Sequence, residues 1–195
     1  MTINASDVAK LRQMTGVGMM EAKKALTETD GDIEKAIEVL RKSGAAKAAK
    51  RADRATSEGR VHCYTHGNGR IGVMVEVLSE TDFVSRNESF IELCNDIAMH
   101  IAAMSPLYLS REDVPAEVVT KEREIAAEQN AGKPADVIEK ILEGKIGKYF
   151  EEACLLNQRF IKDEDITIAQ LMESKIASIG ENLRINRFAR FEIGG

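Results

Sequence analysis

Hydrophobic positions change period along the chain, and each change marks an element. Between residues 5 and 43 apolar side chains recur at helical spacing in three short runs: Val8, Leu11 and Met14, then Met19 to Leu26, then Ile33, Ala36, Ile37 and Leu40. Thr15-Gly16-Val17-Gly18 and Asp30-Gly31-Asp32 break the runs, and Ser6 is placed to cap the first. The pattern predicts three short helices with Val8, Leu11 and Met14 on an inner face. A module of this size has a core near the lower limit for independent folding.

Residues 44–58 carry no branched aliphatic or aromatic side chain. Alanine favours a helix but offers little to bury, so this stretch reads as a solvated helical linker. Beyond it the period becomes two. Arg60–His66 and Arg70–Leu78 read as strands around Gly67-Asn68-Gly69, a hairpin signal. Helices are expected at about 85–104, 115–130 and 134–150, and from Ile168 to Ile179, the last capped by Thr167 and ended by Gly180. Leu183, Ile185, Ala189, Phe191 and Ile193 read as a final strand. The fold expected is α+β: a three-helix module over 1–44, a linker over 45–58, and a core over 59–195 with a small three-stranded antiparallel sheet packed with helices. No internal repeat is present.

Two places do not fit a bland reading. The strand Val73–Leu78 runs through Ser79-Glu80 into Thr81-Asp82-Phe83-Val84, where the period turns helical with Phe90, Leu93, Ile97, Ile101 and Met104 on one face. Asp82 and Phe83 therefore stand at a strand-to-helix corner, where side chains project from the scaffold. Either Phe83 folds back as a hydrophobic staple or it is presented to another molecule. The second place is Met19-Met20. Two adjacent methionines after a glycine turn exceed what so small a core can bury.

Composition narrows the possibilities. The 195 residues are 44% hydrophobic and 30% charged, with a net charge of −5, which suits a soluble globular protein and not a nucleic-acid coat. Three widely spaced cysteines without a Cys-x-x-Cys suit reduced thiols in a cytoplasmic protein. No basic segment followed by an apolar run opens the sequence, and no stretch approaches a membrane span, so neither a signal peptide nor a membrane helix is expected.

Candidate chemistry is sparse. Gly67-Asn68-Gly69-Arg70-Ile71-Gly72 matches a dinucleotide fingerprint as a string, but a strand follows it where a phosphate-binding helix is required. His62 and His66 share a strand face about 13 Å apart, with Cys63 on the other face, so they do not chelate one metal together. Lys47, Lys50, Arg51 and Arg54 form one basic stretch without interleaved aromatics, read as solvated linker and not as a nucleic-acid surface. No phosphate-binding loop, nucleophile elbow or zinc-protease string occurs. No cofactor, metal or catalytic residue is expected, and the chain does not read as an enzyme.

Leu11-Arg12-Gln13-Met14-Thr15-Gly16-Val17-Gly18-Met19-Met20-Glu21-Ala22-Lys23-Lys24-Ala25-Leu26 and Glu76–Asn87, with Thr81-Asp82-Phe83-Val84 at its centre, resemble the signature motifs of elongation factor Ts. Likeness continues through Ala98–Ala103, Gly132-Lys133-Pro134 and Arg190–Gly194, in order along nearly the whole chain. The length resembles the family's short bacterial form. The resemblance implies a UBA-like N-terminal module and a cytoplasmic guanine-nucleotide exchange factor. It would bind elongation factor Tu carrying GDP and promote GDP release by disturbing the magnesium and phosphate site, staying bound until GTP displaces it. Thr81, Asp82, Phe83 and Val84 would form the wedge. Leu11, Arg12, Thr15, Gly16, Val17, Gly18, Met19 and Met20 would be the second contact. A homodimer is implied too, since the short form lacks a half-repeat that a second subunit supplies. The alternative is a passive partner-binding scaffold that leaves the GDP off-rate unchanged.

Overall fold

The first turn of the chain forms because residue 16 must take a left-handed backbone. In the computed structural model, which describes residues 3–130 and 132–194, Gly16 has φ +69° and its amide donates to the Arg12 carbonyl at 2.8 Å. That closes α1 (Ala5–Thr15), which packs with α2 (Met19–Glu28) and α3 (Ile33–Ala49). The cap of α1 is Asn4 and not Ser6: the Asn4 side chain accepts the Ser6 amide at 3.2 Å. Asp32 caps α3 by accepting the Lys35 amide at 3.1 Å. The Lys35 ammonium, 2.9 Å from the same carboxylate, holds Asp32 below its usual range.

Val8, Leu11, Val17, Ala22, Ala25, Leu26, Ala36 and Leu40 make the buried cluster of this bundle. Met14 is not among them; it is 57% exposed. At 3.6 residues per turn the inner stripe passes between positions 14 and 15, and Val17 from the turn is buried in the cluster instead. The third helix is also longer than its apolar stripe predicts. It continues to Ala49, with Gly44 and Ala48 buried. A Cβ at Gly44 would lie 3.7 Å from the Cβ of Ala177 on α8 (Ile168–Ile179). Small residues that looked too poor to bury are used for close approach of two helices. The first two residues of the expected 1–44 module and the last of the expected core lie outside the described residues.

Strands β1 (Glu58–His66) and β2 (Ile71–Ser79) flank a turn in which Gly67, Asn68 and Gly69 have φ +60°, +57° and +82°. The Gly-x-Gly-x-x-Gly string is thus a hairpin turn. After β2 come a four-residue helix α4 (Asp82–Ser85), then α5 (Glu88–Met104), α6 (Ala116–Glu128) and α7 (Ala135–Ala153). The helix expected at about 85–104 is α5, starting at Glu88; the short α4 before it is an addition. A hairpin of β3 (Arg159–Phe160) and β4 (Asp163–Thr167) precedes α8, and β5 (Leu183–Glu192) ends the described elements. The α+β class holds: eight helices accompany a three-stranded antiparallel sheet in the order β1-β2-β5 among the described residues. The β3–β4 pair is an addition, with Arg159 opposite Thr167, Phe160 opposite Asp163 and a bulge between them.

The chain gathers into two compact units. One comprises residues up to Arg60 with Val77–Ile91 and Gln170–Arg184; the other comprises Val61–Glu76, Glu92–Ala169 and the residues from Ile185 onward. In the second unit α6 packs along α7, and Leu93, Ile97, Ile101, Leu155 and Ile168 are fully or almost fully buried. His100 is buried as well. Its Nε2 donates to Gln158 Oε1 at 3.0 Å, and its Nδ1 accepts the Ile161 amide at 3.4 Å, which fixes the neutral tautomer. Burial pushes this imidazole below its ordinary pKa, and the Gln158 bond opposes the shift. The Gln158 side-chain amide goes on to the Glu152 and Met104 carbonyls at 2.7 and 3.4 Å.

Candidate functional site

The corner at residues 79–87 is built by backbone geometry before any side chain acts on a partner. Ser79, fully buried at the end of β2, donates its hydroxyl to the Thr81 carbonyl at 2.9 Å. Thr81 takes the N-cap position of α4 with an extended backbone, yet its side chain does not cap the helix. Its hydroxyl donates to Glu181 Oε1 at 2.6 Å, and its amide donates to Glu181 Oε2 at 3.0 Å. Ser85 donates to the Asp82 carbonyl at 2.8 Å, and the Asn87 amide donates to the Val84 carbonyl at 2.9 Å. These bonds turn the chain from β2 into α4 within three residues.

Phe83 is 83% exposed, the highest value among the exposed large hydrophobic residues. It does not fold back as a staple. A bare phenyl ring forgoes about 1.5–3 kcal/mol of burial that a core position would give it. Asp82 is half-buried and carries an ion pair to Arg86 at 2.8 Å, with the Arg86 side chain 78% exposed. A pair this wet is worth under about 1 kcal/mol, so Asp82 can exchange Arg86 for another cation or donor at little cost. Thr81 and Val84 are half-buried. The four residues thus divide into a fixed base, Thr81 and Val84, and a presented pair, Asp82 and Phe83.

The N-terminal candidates divide likewise. Leu11 and Val17 are buried in the bundle's core. Thr15 donates its hydroxyl back to the Leu11 carbonyl at 2.7 Å and is half-buried. Arg12, Gly16 and Gly18 are exposed, and Gly18 sits at the N-cap of α2. Met19 and Met20, the first residues of α2, are 49% and 77% exposed. Met14, assigned to the core from its spacing, joins them as a third exposed methionine. Exposed thioethers are adaptable apolar groups of the kind used for binding. Both this surface and the corner belong to the same compact unit.

Two residues of the site escaped sequence reasoning: Glu181 and Asn182, in the turn between α8 and β5. Nothing local marks them, since their partners lie about a hundred positions earlier in the chain. Tyr64 and His66 bond at 3.0 Å with stacked rings, and among the described residues no group of three or more His, Cys, Asp or Glu is arranged to hold a metal ion. Cys63 is exposed, Cys94 and Cys154 are buried, and none is in a disulfide. No helix among the described residues is long and apolar enough to cross a membrane.

The family model described as elongation factor TS matches residues 3–195. This chain belongs to the elongation factor Ts family. It is 55% identical over 196 residues to an elongation factor Ts of Fervidobacterium nodosum, covering all of both chains. It is 57% identical over 194 residues to that of Thermosipho melanesiensis, covering 98% of this chain and 99% of the other. The elongation factor Ts of Geobacter sulfurreducens is 54% identical over 196 residues, which span all of this chain and 91% of the relative. Membership in the family assigns the chain to translation elongation and to the nucleotide-exchange factors.

Proposed function

We propose that this family member binds elongation factor Tu carrying GDP and accelerates GDP release, with Asp82 and Phe83 as the wedge that disturbs the partner's magnesium and phosphate site. The observation that carries the reading is the 83% exposed Phe83 beside an Asp82 whose carboxylate pairs with an exposed arginine. Phe83 supplies apolar area that gains by burial in another protein, and Asp82 supplies a negative charge that competes where a phosphate or a magnesium ligand sits.

Magnitudes call for a second anchor. A thousandfold faster release needs about 4 kcal/mol off the barrier. One buried Phe contributes about 1.5–3 kcal/mol. The remainder is assigned to the N-terminal module, residues 1–44, through Met19 and Met20 with Met14, Arg12 and the Gly16–Gly18 turn. By linkage, an exchange factor that weakens GDP binding is itself weakened equally by GDP, so binding of GTP, which re-forms the phosphate and magnesium contacts, completes the cycle by displacing it. The reading also includes action in the cytoplasm, supported by three cysteines that form no disulfide. It further includes a homodimer, supported by the exposed Phe191 and Ile193 near the C-terminal end.

The test follows release of a fluorescent GDP analogue from elongation factor Tu by stopped flow. The wild-type chain accelerates release; Asp82→Ala with Phe83→Ala abolishes the acceleration. Met19→Ser with Met20→Ser raises the concentration needed for half-maximal release. Binding of the wild-type chain without a change in off-rate would refute the exchange reading and leave a passive scaffold.

A further inference from the structure

The corner is held from behind by residues a hundred positions further along the chain. Glu181 accepts both the amide and the hydroxyl of Thr81, at 3.0 and 2.6 Å. Its neighbour answers in the opposite direction: the amide of Asn182 donates to the Glu80 carboxylate at 2.6 Å. The two sets of bonds cross, side chain to main chain each way, so neither segment slides along the other without breaking both. Asn182 is buried, and its side-chain amide donates to the carbonyls of Ala52 at 3.3 Å and Arg54 at 2.9 Å. The Arg54 guanidinium in turn lies 3.4 Å from the Glu80 carboxylate. The connector that follows α3 is thereby tied to the same point.

Packing does not do this work. No residue of α4 is buried, and no side chain caps it. Phe83 is 83% exposed, and the Asp82 carboxylate pairs with an exposed Arg86. The direction in which the pair leaves the scaffold is therefore set by hydrogen bonds at Thr81, and the charged Glu181 acceptor makes the strongest of them, roughly twice as strong as neutral ones.

We infer that Glu181 is a positioning residue for nucleotide exchange: its carboxylate fixes the orientation of the Asp82–Phe83 corner, and Asn182 joins that corner to the connector from the N-terminal helices. The function assigned to the corner rests on the exchange reading above. The brace itself is independent of it. A loosened corner still docks through the rest of the surface but reaches the disturbing geometry less often, so the loss falls on the maximal rate and not on affinity.

Two readouts test this. In the stopped-flow assay Glu181→Ala lowers the maximal GDP-release rate roughly 10- to 100-fold, while the half-saturating concentration stays near wild type. Glu181→Gln keeps one acceptor oxygen and falls between. A role in folding alone would lower the melting temperature without this split. The second readout needs no partner. The chain has no tryptophan, so Phe83→Trp places a single emitter at the corner. Its fluorescence anisotropy falls when Glu181→Ala is added and stays constant when Thr81→Ser, which keeps both donors to Glu181, is added. Should Glu181→Ala fail to fold, Glu181→Gln carries both measurements. An unchanged anisotropy, or a wild-type maximal rate in a folded Glu181 variant, overturns the inference. A wild-type chain that does not accelerate release refutes the exchange reading, and the anisotropy still decides the brace.

Discussion

Phe83 and Phe90 lie seven residues apart and should respond to the same substitution in opposite ways. Phe90, near the start of α5, is fully buried, whereas Phe83 is 83% exposed. Truncating a buried phenylalanine removes its transfer energy and leaves a cavity, costing about 3–5 kcal/mol. For a chain of this length each kcal/mol lowers the melting temperature by about 2–4 °C, so Phe90→Ala should melt about 6–20 °C below wild type. Phe83→Ala removes a ring that touches almost nothing in the free protein. Its stability should stay within about 0.5 kcal/mol, a shift of at most about 2 °C. In exchange the order inverts. If the ring is buried against the partner as GDP leaves, its loss costs about 1.5–3 kcal/mol, or about 10- to 150-fold in the accelerated release rate. Phe90→Ala, assayed well below its melting point, should retain most of its activity. Thermal melts by circular dichroism and release of a fluorescent GDP analogue give the four numbers. A Phe83→Ala protein that melts as early as Phe90→Ala, or that exchanges as well as wild type, would sink the reasoning.

His100 makes stability fall with acid in a defined window. Its pKa is lowered in the fold by burial from an ordinary value of 6.5, so above that value it is neutral in both states and the network is at full strength. As pH falls below 6.5 the unfolded chain takes up a proton that the folded chain refuses, and stability drops by up to about 1.4 kcal/mol per pH unit until the folded imidazole titrates. Urea midpoints between pH 7.5 and 5 should show this slope in wild type and a flatter one in His100→Gln; equal slopes would disprove the assignment. Gly59 tests backbone crowding: its φ is +148°, and a Cβ there would lie 2.3 Å from the Val77 carbonyl oxygen and 2.7 Å from the Leu78 Cα. Gly59→Ala must therefore shift backbone, at a cost of about 1–3 kcal/mol, and should lower the melting temperature by about 2–12 °C. An unchanged melt would show that the strand accommodates the methyl.

The helical and strand periods were legible because they come from local spacing. The turns at Gly16, Gly67–Gly69 and Gly180 were legible because glycine, and to a lesser degree asparagine, adopts a left-handed backbone at little cost. The exposure of Phe83 was readable in outline, since a phenylalanine at a strand-to-helix corner falls off both apolar stripes. Errors arose where two readings share a pattern. Met14 and Thr15 both lie within half a turn of the inner stripe of α1, and spacing cannot choose between them. Alanine and glycine at 44–49 read as solvated because their burial depends on a helix that arrives more than a hundred residues later. The β3–β4 hairpin is too short and too charged to carry a period of two.

What the sequence by itself determined is therefore the set of elements and the residues that stand out from them: the α+β class, the glycine turns, the Met19-Met20 pair and the Asp82-Phe83 corner. The motifs also led to the family that the comparisons then established. What only the tertiary structure decided is which side chains are free and which are held. Leu11 and Val17 are spent in the core, Met14 is released to the surface, and Thr81 is gripped by Glu181 from a hundred residues away. Periodicity reports how a segment divides between inside and outside, because that division repeats with the local backbone. Hydrogen bonds between distant segments carry no period, and only the folded chain brings their partners within 3 Å.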